Sequence, residues 1–391
     1  MYLIKNGLIV TEKDILTGHD LIIQEDRIAN IAVPSKTPKG YEIIDANGGF
    51  IVPGFIDIHS DYIEHVATPR PNCLMDFDLS IHEAEKELAS HGITTIFHSL
   101  SLYKSWDFAH NPIRDPHNVR RFAEIIANTH DQSRLIRHRF HARLEIDNLD
   151  EIERLRQLID EEKVHLISLM DHTPGQGQYK NLEVYRKTIK SYYNHLNNDD
   201  IDQMIVKHRE KKLLSLDDLK ELADYASNKN IAIASHDDDS IEKLQKNQYI
   251  GVAISEFPTT INVALEAKKM GFFTLGGAPN ILLGGSHSGN LSAAEAIEHN
   301  ALDILCSDYY PASLIHAIFK MNREHQTSLN KMFNMLTINP AKAVKMDQEI
   351  GSIKAGKKAD LLIIELIKTD FPVISMVFVD GCPVQQMSYR Q

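Results

Sequence analysis

Between residues 53 and 347 the chain alternates short apolar runs with amphipathic helical stretches, and this rhythm limits the fold more than any other feature. The apolar runs fall near 55–59, 93–98, 139–146, 164–170, 231–235, 251–255, 272–275 and 302–307. A strand that must return to pair in parallel needs a crossover, usually a helix, so the repeated unit builds a parallel sheet. Eight such units match the strand count of a closed (β/α)8 barrel; an open doubly wound sheet is the rival arrangement. Between the runs, Ser80-Ile81-His82-Glu83 predicts a capping box opening a helix that stops before Gly92. Ser215-Leu216-Asp217-Asp218 predicts a second helix start, and Pro258 and Pro311 suit first helical turns.

The two ends have a different texture. Residues 1–52 read as short strands: IKNGLIV carries a glycine-centred hairpin signal, and DLIIQEDRIANIAV pairs two apolar runs around a polar tip. Residues 348–391 repeat this pattern, with Asp380-Gly381 as a tight turn. A small composite β-sandwich assembled from 1–52 and 348–391, beside a barrel over 53–347, is the expected organisation; two separate β appendages are the alternative. Residues 173–214 are polar, tyrosine-rich and long for a strand-to-helix connection. They form either a lid or substrate loop over the barrel mouth or a solvated helical decoration.

Composition narrows the class. The 391 residues are 43% hydrophobic and 25% charged, as in ordinary globular proteins, which excludes disordered and fibrous types. A net charge of −12 argues against a broad nucleic-acid footprint. Three scattered cysteines give no disulfide framework or thiolate zinc site. With no membrane-length apolar run and no secretory-type start, a cytoplasmic location without membrane contact is expected. The composition is compatible with a homo-oligomer. The 20 histidines stand out.

In a barrel of this kind the C-terminal strand ends share one rim, and chemistry happens there. The first run ends in His59 and Asp61, two residues apart and so on one side of an extended segment. The third offers His141 and Glu145, the fourth Asp171 and His172, the fifth His236 followed by Asp237 to Asp239. The sixth ends in Glu256 and the eighth in Asp308. Any one of these has a bland reading as a core histidine or helix cap, and Asp237 to Asp239 suit the start of the helix IEKLQK. Together they describe a buried cluster whose mutual repulsion and desolvation call for a cation.

The opening VPGFIDIHSD, the rim histidine on strand five, the rim aspartate on strand eight and the ending NPAKAV…GSIKAGKKADLLII resemble the amidohydrolase superfamily, over nearly the whole chain. HSDYIEHVATPRP, MDHTPGQGQY, ASHDDD, GGSHSGN and SDYYPASL resemble one branch of it, diphosphatases acting on a ribose 5-triphosphate with a methylphosphonate at C1. The resemblance implies hydrolysis to the 5-phosphate and pyrophosphate, in phosphonate breakdown. It also implies a divalent-metal site, here expected to hold two ions (Zn, Mn or Mg), with His59, His236 and Asp308 at superfamily positions. Asp61 stands where most members have a second histidine. No fourth-strand lysine is evident, so Glu145 is the candidate bridging carboxylate and His172 a further candidate ligand. Asp308 is the expected general base. For the polyphosphate, the five-glycine segment 276–290, including Gly285, Ser286, His287 and Ser288, offers backbone and hydroxyl donors. Arg70, Lys180 and Tyr309 are further candidate substrate contacts. The competing functions are a related barrel enzyme cleaving cyclic amides or other C–N bonds, and a barrel without catalysis that serves as a binding module.

Overall fold

The computed structural model describes residues 1–34, 40–71, 73–102, 111–193, 196–286, 289–368 and 370–389, without the side chains of Gln178, Ser191 and Tyr192. Eight strands form one parallel sheet in chain order: β1 (Phe55–Ser60), β2 (Ile93–Leu102), β3 (Arg137–Glu145), β4 (Leu166–Met170), β5 (Ala232–His236), β6 (Ile254–Glu256), β7 (Phe273–Gly277) and β8 (Ile304–Cys306). The sheet closes where Ser60 bridges Asp308 in parallel, with the Asp61 amide donating to the Asp308 carbonyl at 2.7 Å. The Asp308 amide donates to the His59 carbonyl at 3.2 Å. Closure therefore happens at the rim itself, and it ties the eighth-strand aspartate to both candidate residues of the first strand.

The period-two alternation of a strand explains the layering. On β3, His138, Phe140, Ala142 and Leu144 face the surrounding helices, while His141, Arg143 and Glu145 face inward. The inner face changes character along the barrel axis. Phe97, Leu166, Ala234 and Ile254 belong to an apolar plug; two residues further along their strands stand Ser99, Ser168, His236 and Glu256. Each of these four strands thus supplies an apolar residue to the floor and a polar one to the mouth.

Two further sheets are built from the chain ends, the first from N-terminal strands alone and the second from both ends. Tyr2–Lys5, Asp20–Gln24, Arg27–Ala32 and Glu42–Asp45 make one; Leu8–Val10, Ile15–Leu16, Phe50–Pro53, Leu361–Ile367, Phe371–Val379 and Cys382–Gln386 make the other. Ile4, Leu21, Ile28 and Ile44 from the first pack with Ile9, Ile51, Ile363 and Phe378 from the second, so the pair is a β-sandwich. The Asp380-Gly381 turn is present, with both residues at positive φ.

Three local expectations are corrected. IKNGLIV is not a hairpin: at Asn6-Gly7 the chain steps from one sheet to the other, and a Cβ on Gly7 would lie 2.5 Å from Ile51 Cδ1. The helix expected to open at Ser80 begins earlier, over Phe77–Ser90, where the Asp76 side chain accepts from the Leu79 amide. The helices after Pro258 and Pro311 start at Ile261 and Ser313, so neither proline sits in the first turn. Ser215 and Asp218 do form a reciprocal capping box. The insertion folds as two helices, Leu182–Tyr192 and Asn198–Arg209, around a small core of Tyr179, Tyr185, Ile189, Ile201 and Ile205. Lys211 Nζ to Asp147 Oδ2 at 2.7 Å and the Leu214 amide to the Ile146 carbonyl at 2.8 Å anchor its exit.

Candidate active site

A cleft of about 510 Å³ opens at the barrel mouth, lined by the polar residues His59, Asp61, Arg143, His236, Asp237 and Asp308. Phe257, Pro258, Pro279, Leu283 and Tyr309 also line it, together with Gly285 and Ser286, and the Phe257 ring packs edge-on against His59 and His236. Three residues that end strands or follow them directly, Asp237, Phe257 and Asp308, have left-handed backbones (φ 52°, 53° and 56°). Their amides donate to the Glu256, Leu275 and His59 carbonyls on the neighbouring strands. Such conformations cost energy for residues other than glycine and persist where surrounding bonds enforce them. Here they turn the chain at the rim.

Glu256 is the hub. Its Oε1 accepts from His59 Nδ1 at 3.0 Å; its Oε2 accepts from Ser168 Oγ at 2.6 Å and from His236 Nδ1 at 3.2 Å. Burial opposes ionisation of this carboxyl, but His59 and His141 outweigh it and hold its pKa well below the usual range. Burial likewise disfavours protonated His59, and Glu256 overrides that to raise the pKa. At His141 burial outweighs the pull of Glu256 and drops the pKa to about 3, and the ring links Ser99 Oγ (3.0 Å) to Ser168 Oγ (2.6 Å).

Glu145 plays the matching part on β3 by hydrogen bonding His172 Nδ1. A carboxylate at Nδ1 fixes the tautomer and leaves Nε2 to face outward. For His172 and His236 that second nitrogen faces Asp237: the two Nε2 atoms lie 4.0 and 3.7 Å from Asp237 Oδ2. This oxygen is buried and accepts no hydrogen bond among the described residues. A buried anionic oxygen without a donor, between two imidazole nitrogens, fits a divalent cation. Among the described residues two groups have ligand atoms within 4.8 Å of one another, His172/His236/Asp237 and His59/His236/Glu256; only the first has an acceptor oxygen without a donor.

Of the residues singled out from sequence, His59, Asp61, His236, Asp308, Gly285, Ser286 and Tyr309 meet at the cleft. Glu145 and His172 lie directly beside it, and Glu145 orients His172. Arg70 and Lys180 are exposed and outside the cleft lining, Arg70 in a bridged turn with Cys73 and Lys180 after the short turn Gly177–Tyr179. His287 and Ser288 lie outside the described residues. The glycine-rich stretch contains an unforeseen short helix, Ala278–Leu283, and the next helix starts at Ala293.

The three consecutive aspartates do not cap the following helix. Ser240 does, accepting from the Lys243 amide. Asp238 instead braces the β5–β6 ends through Ser235 Oγ (2.6 Å), Ser255 Oγ (2.5 Å) and Asn247 Nδ2 (2.8 Å), and Asp239 accepts from the Gly177 amide at 3.1 Å. Sequence reasoning passed over Arg143. Its Nη1 donates to both Asp61 oxygens, at 3.0 and 3.1 Å, and its Nη2 lies 3.4 Å from His236 Nε2. Burial would push the Asp61 carboxyl up, but Arg143 holds it below its usual range. The signal was available: in HARLE, position 143 shares the inward parity of His141 and Glu145.

A barrel with carboxylates and imidazoles converging on its C-terminal mouth describes a hydrolase that works with divalent metal. A model of the Amidohydrolase family matches residues 50–385, and the chain belongs to that family. It is 32% identical over 374 residues to the alpha-D-ribose 1-methylphosphonate 5-triphosphate diphosphatase of Escherichia coli (strain K12), covering 92% of this chain and 94% of that one. Among solved structures, N-acetylglucosamine-6-phosphate deacetylase from Pasteurella multocida aligns with a TM-score of 0.63 at 13% identity, covering 97% of this chain and 98% of that one. A D-hydantoinase aligns with a TM-score of 0.63 at 16% identity, covering 98% and 95%. At those identities the structural likeness speaks for the fold. Among the described residues, no helix is long and apolar enough to cross a membrane.

Proposed function

We propose that the protein hydrolyses a ribose 5-triphosphate bearing a phosphonate at C1, breaking the α–β anhydride bridge to leave the 5-phosphate and pyrophosphate. The observation that carries this reading is the near full-length similarity to the E. coli diphosphatase. The cleft supports it, being large enough for a sugar phosphate and lined by both apolar and charged side chains. His172, His236 and Asp237, or His59, His236 and Glu256, would hold a divalent ion. When bound, such an ion supplies Lewis-acid polarisation and charge neutralisation at the phosphoryl group.

The remaining work falls to side chains. Asp308, fixed between His59 and Asp61 by two backbone hydrogen bonds, takes a proton from the attacking water. Glu256 and Glu145 hold their imidazoles in one tautomer, so the ligand set needs little rearrangement. Ser286 and the Gly285 backbone meet the polyphosphate, and Tyr309 meets the sugar.

The test is to incubate metal-loaded protein with a C1-phosphonylated ribose 5-triphosphate and quantify pyrophosphate, orthophosphate and ammonia. Stoichiometric pyrophosphate is expected. Turnover of a cyclic amide with no pyrophosphate from the triphosphate would replace this reading with that of a C–N hydrolase.

A further inference from the structure

The insertion 173–214 begins directly after His172, and none of its described residues lines the cleft. It packs instead against the ion group His172/His236/Asp237, through the short turn Gly177–Tyr179. Gly177 is buried with φ 51°, and its amide donates to Asp239 Oδ2 at 3.1 Å. A Cβ on Gly177 would lie 3.2 Å from both the Asp237 Cβ and the Asp237 carbonyl oxygen, so the missing side chain lets the turn seat directly on Asp237. The Tyr179 ring centroid stands 5.9 Å from that of His172 and 5.0 Å from that of Tyr185, which joins the ion group to the core of the insertion. On its outer side the turn is tied to the helix Asn198–Arg209. Arg209 Nε donates to the Pro174 carbonyl at 2.9 Å, and a Cβ on Gly175 (φ 100°) would lie 2.7 Å from Arg209 Nη2.

Asp237 needs such support. Its left-handed backbone is held by its amide on the Glu256 carbonyl (2.9 Å) and by Lys243 Nζ on its own carbonyl (3.2 Å). Those bonds fix the main chain; Gly177 backs the Cβ from which the carboxylate reaches towards the Nε2 atoms of His172 and His236. The insertion needs support as well. Its own core, Tyr179, Tyr185, Ile189, Ile201 and Ile205, is small, so its order depends on what it docks against.

We propose that the insertion is a clamp on the ion group: the turn Gly177–Tyr179 holds His172 and Asp237 in the geometry that binds a divalent cation, and the bound cation in turn keeps the insertion docked. Gly177 is a positioning residue that acts through Asp237. The proposal rests on the ion group of the functional reading above and not on its substrate. The coupling runs both ways, because an ion that prefers the docked form must stabilise docking by the same factor.

Two measurements on the full-length protein read the two ends of this coupling. In hydrogen–deuterium exchange, amides of Leu182–Tyr192 and Asn198–Arg209 should exchange about tenfold faster after a chelator removes zinc than in the zinc-loaded protein. Those of Pro116–Asn128, a helix packed outside β2 and β3, should keep their rates. In competitive chelator titration, Gly177→Ala should weaken zinc affinity by about tenfold, the lower end for a residue that supports a metal ligand. Arg209→Gln releases the outer side of the turn and should weaken zinc affinity by about fivefold; it serves if the alanine variant fails to fold. Exchange in the two insertion helices within twofold with and without zinc would overturn the proposal. So would equal acceleration at Pro116–Asn128, zinc affinities of the folded variants within twofold of wild type, or no zinc binding by the wild type. Absence of pyrophosphate release from the ribose triphosphate would sink the substrate reading alone, since neither measurement involves turnover.

Discussion

Histidines collect on both faces of the barrel sheet. Outside the barrel, His98 Nε2 and His138 Nδ1 are 2.9 Å apart, His138 Nε2 reaches Glu85 Oε2 at 3.3 Å, and Glu85 also accepts from the Leu135 amide at 3.0 Å. Nearby, His165 Nδ1 accepts from the Phe140 amide at 3.0 Å. Inside, His59, His141 and His236 surround Glu256, with His172 one strand away. The residue types match, and so does the burial. What differs is satisfaction. The outer group sits between strands and helices, its rings pushed towards the neutral form by burial, and its carboxylate has donors. The inner group opens on a cleft and keeps a buried carboxylate oxygen at Asp237 without one among the described residues. A histidine cluster becomes a site when an anionic acceptor is left for something else to fill.

The sharpest way to break this contrast is at the proposed base. Asp308→Asn should lower kcat by roughly 10²–10⁴-fold, the usual worth of a positioned general base, with the circular dichroism spectrum and Tm unchanged. Near-normal turnover would remove Asp308 from that role.

A paired substitution then compares the two clusters directly. Glu256→Gln should weaken zinc affinity by about 10- to 100-fold, because His59 and His236 lose the carboxylate that orients them. His98→Gln should leave zinc affinity alone and cost about 1–3 kcal/mol of stability through unmatched buried polar groups. Competitive chelator titration and denaturant unfolding read the two effects. Equal losses of zinc affinity in both variants would mean that the clusters are not functionally distinct.

A further effect concerns pH and belongs to the outer cluster. Burial depresses His98, His138 and His165, the last to about 2, so these rings stay neutral in the folded protein. The unfolded chain protonates them near pH 6.5 and therefore binds more protons below that value. Their contribution is fully present above about pH 6.5 and is lost as the pH falls, by about tenfold in the unfolding constant per pH unit for each imidazole. Denaturant midpoints at pH 7.5 and 5.5 should drop accordingly in the wild type and less in His98→Gln. A midpoint that rises on acidification would contradict the neutral assignment.

The eight-unit rhythm, the polar residues at six of the strand ends and the β-rich termini were legible because they are periodic or local. Apolar runs of strand length, glycines and capping signals such as Ser215–Asp218 act within a few residues, so the sequence carries them openly. Spatial order decided the rest. Nothing in the chain's linear order says that Arg143 meets Asp61, 82 positions away, or that Glu256 rather than Asp61 binds His59. The same holds for Ser240, and not Asp237, capping the helix after β5. Those choices depend on which side chains the closed barrel brings within hydrogen-bonding reach, and on the desolvation that makes each buried charge find its partner. The sequence by itself determined the architecture and the rim that carries the chemistry. Only the tertiary structure decided which of the rim's charges neutralise one another and which remain for an ion and a substrate, because that balance depends on distances across the barrel mouth rather than along the chain.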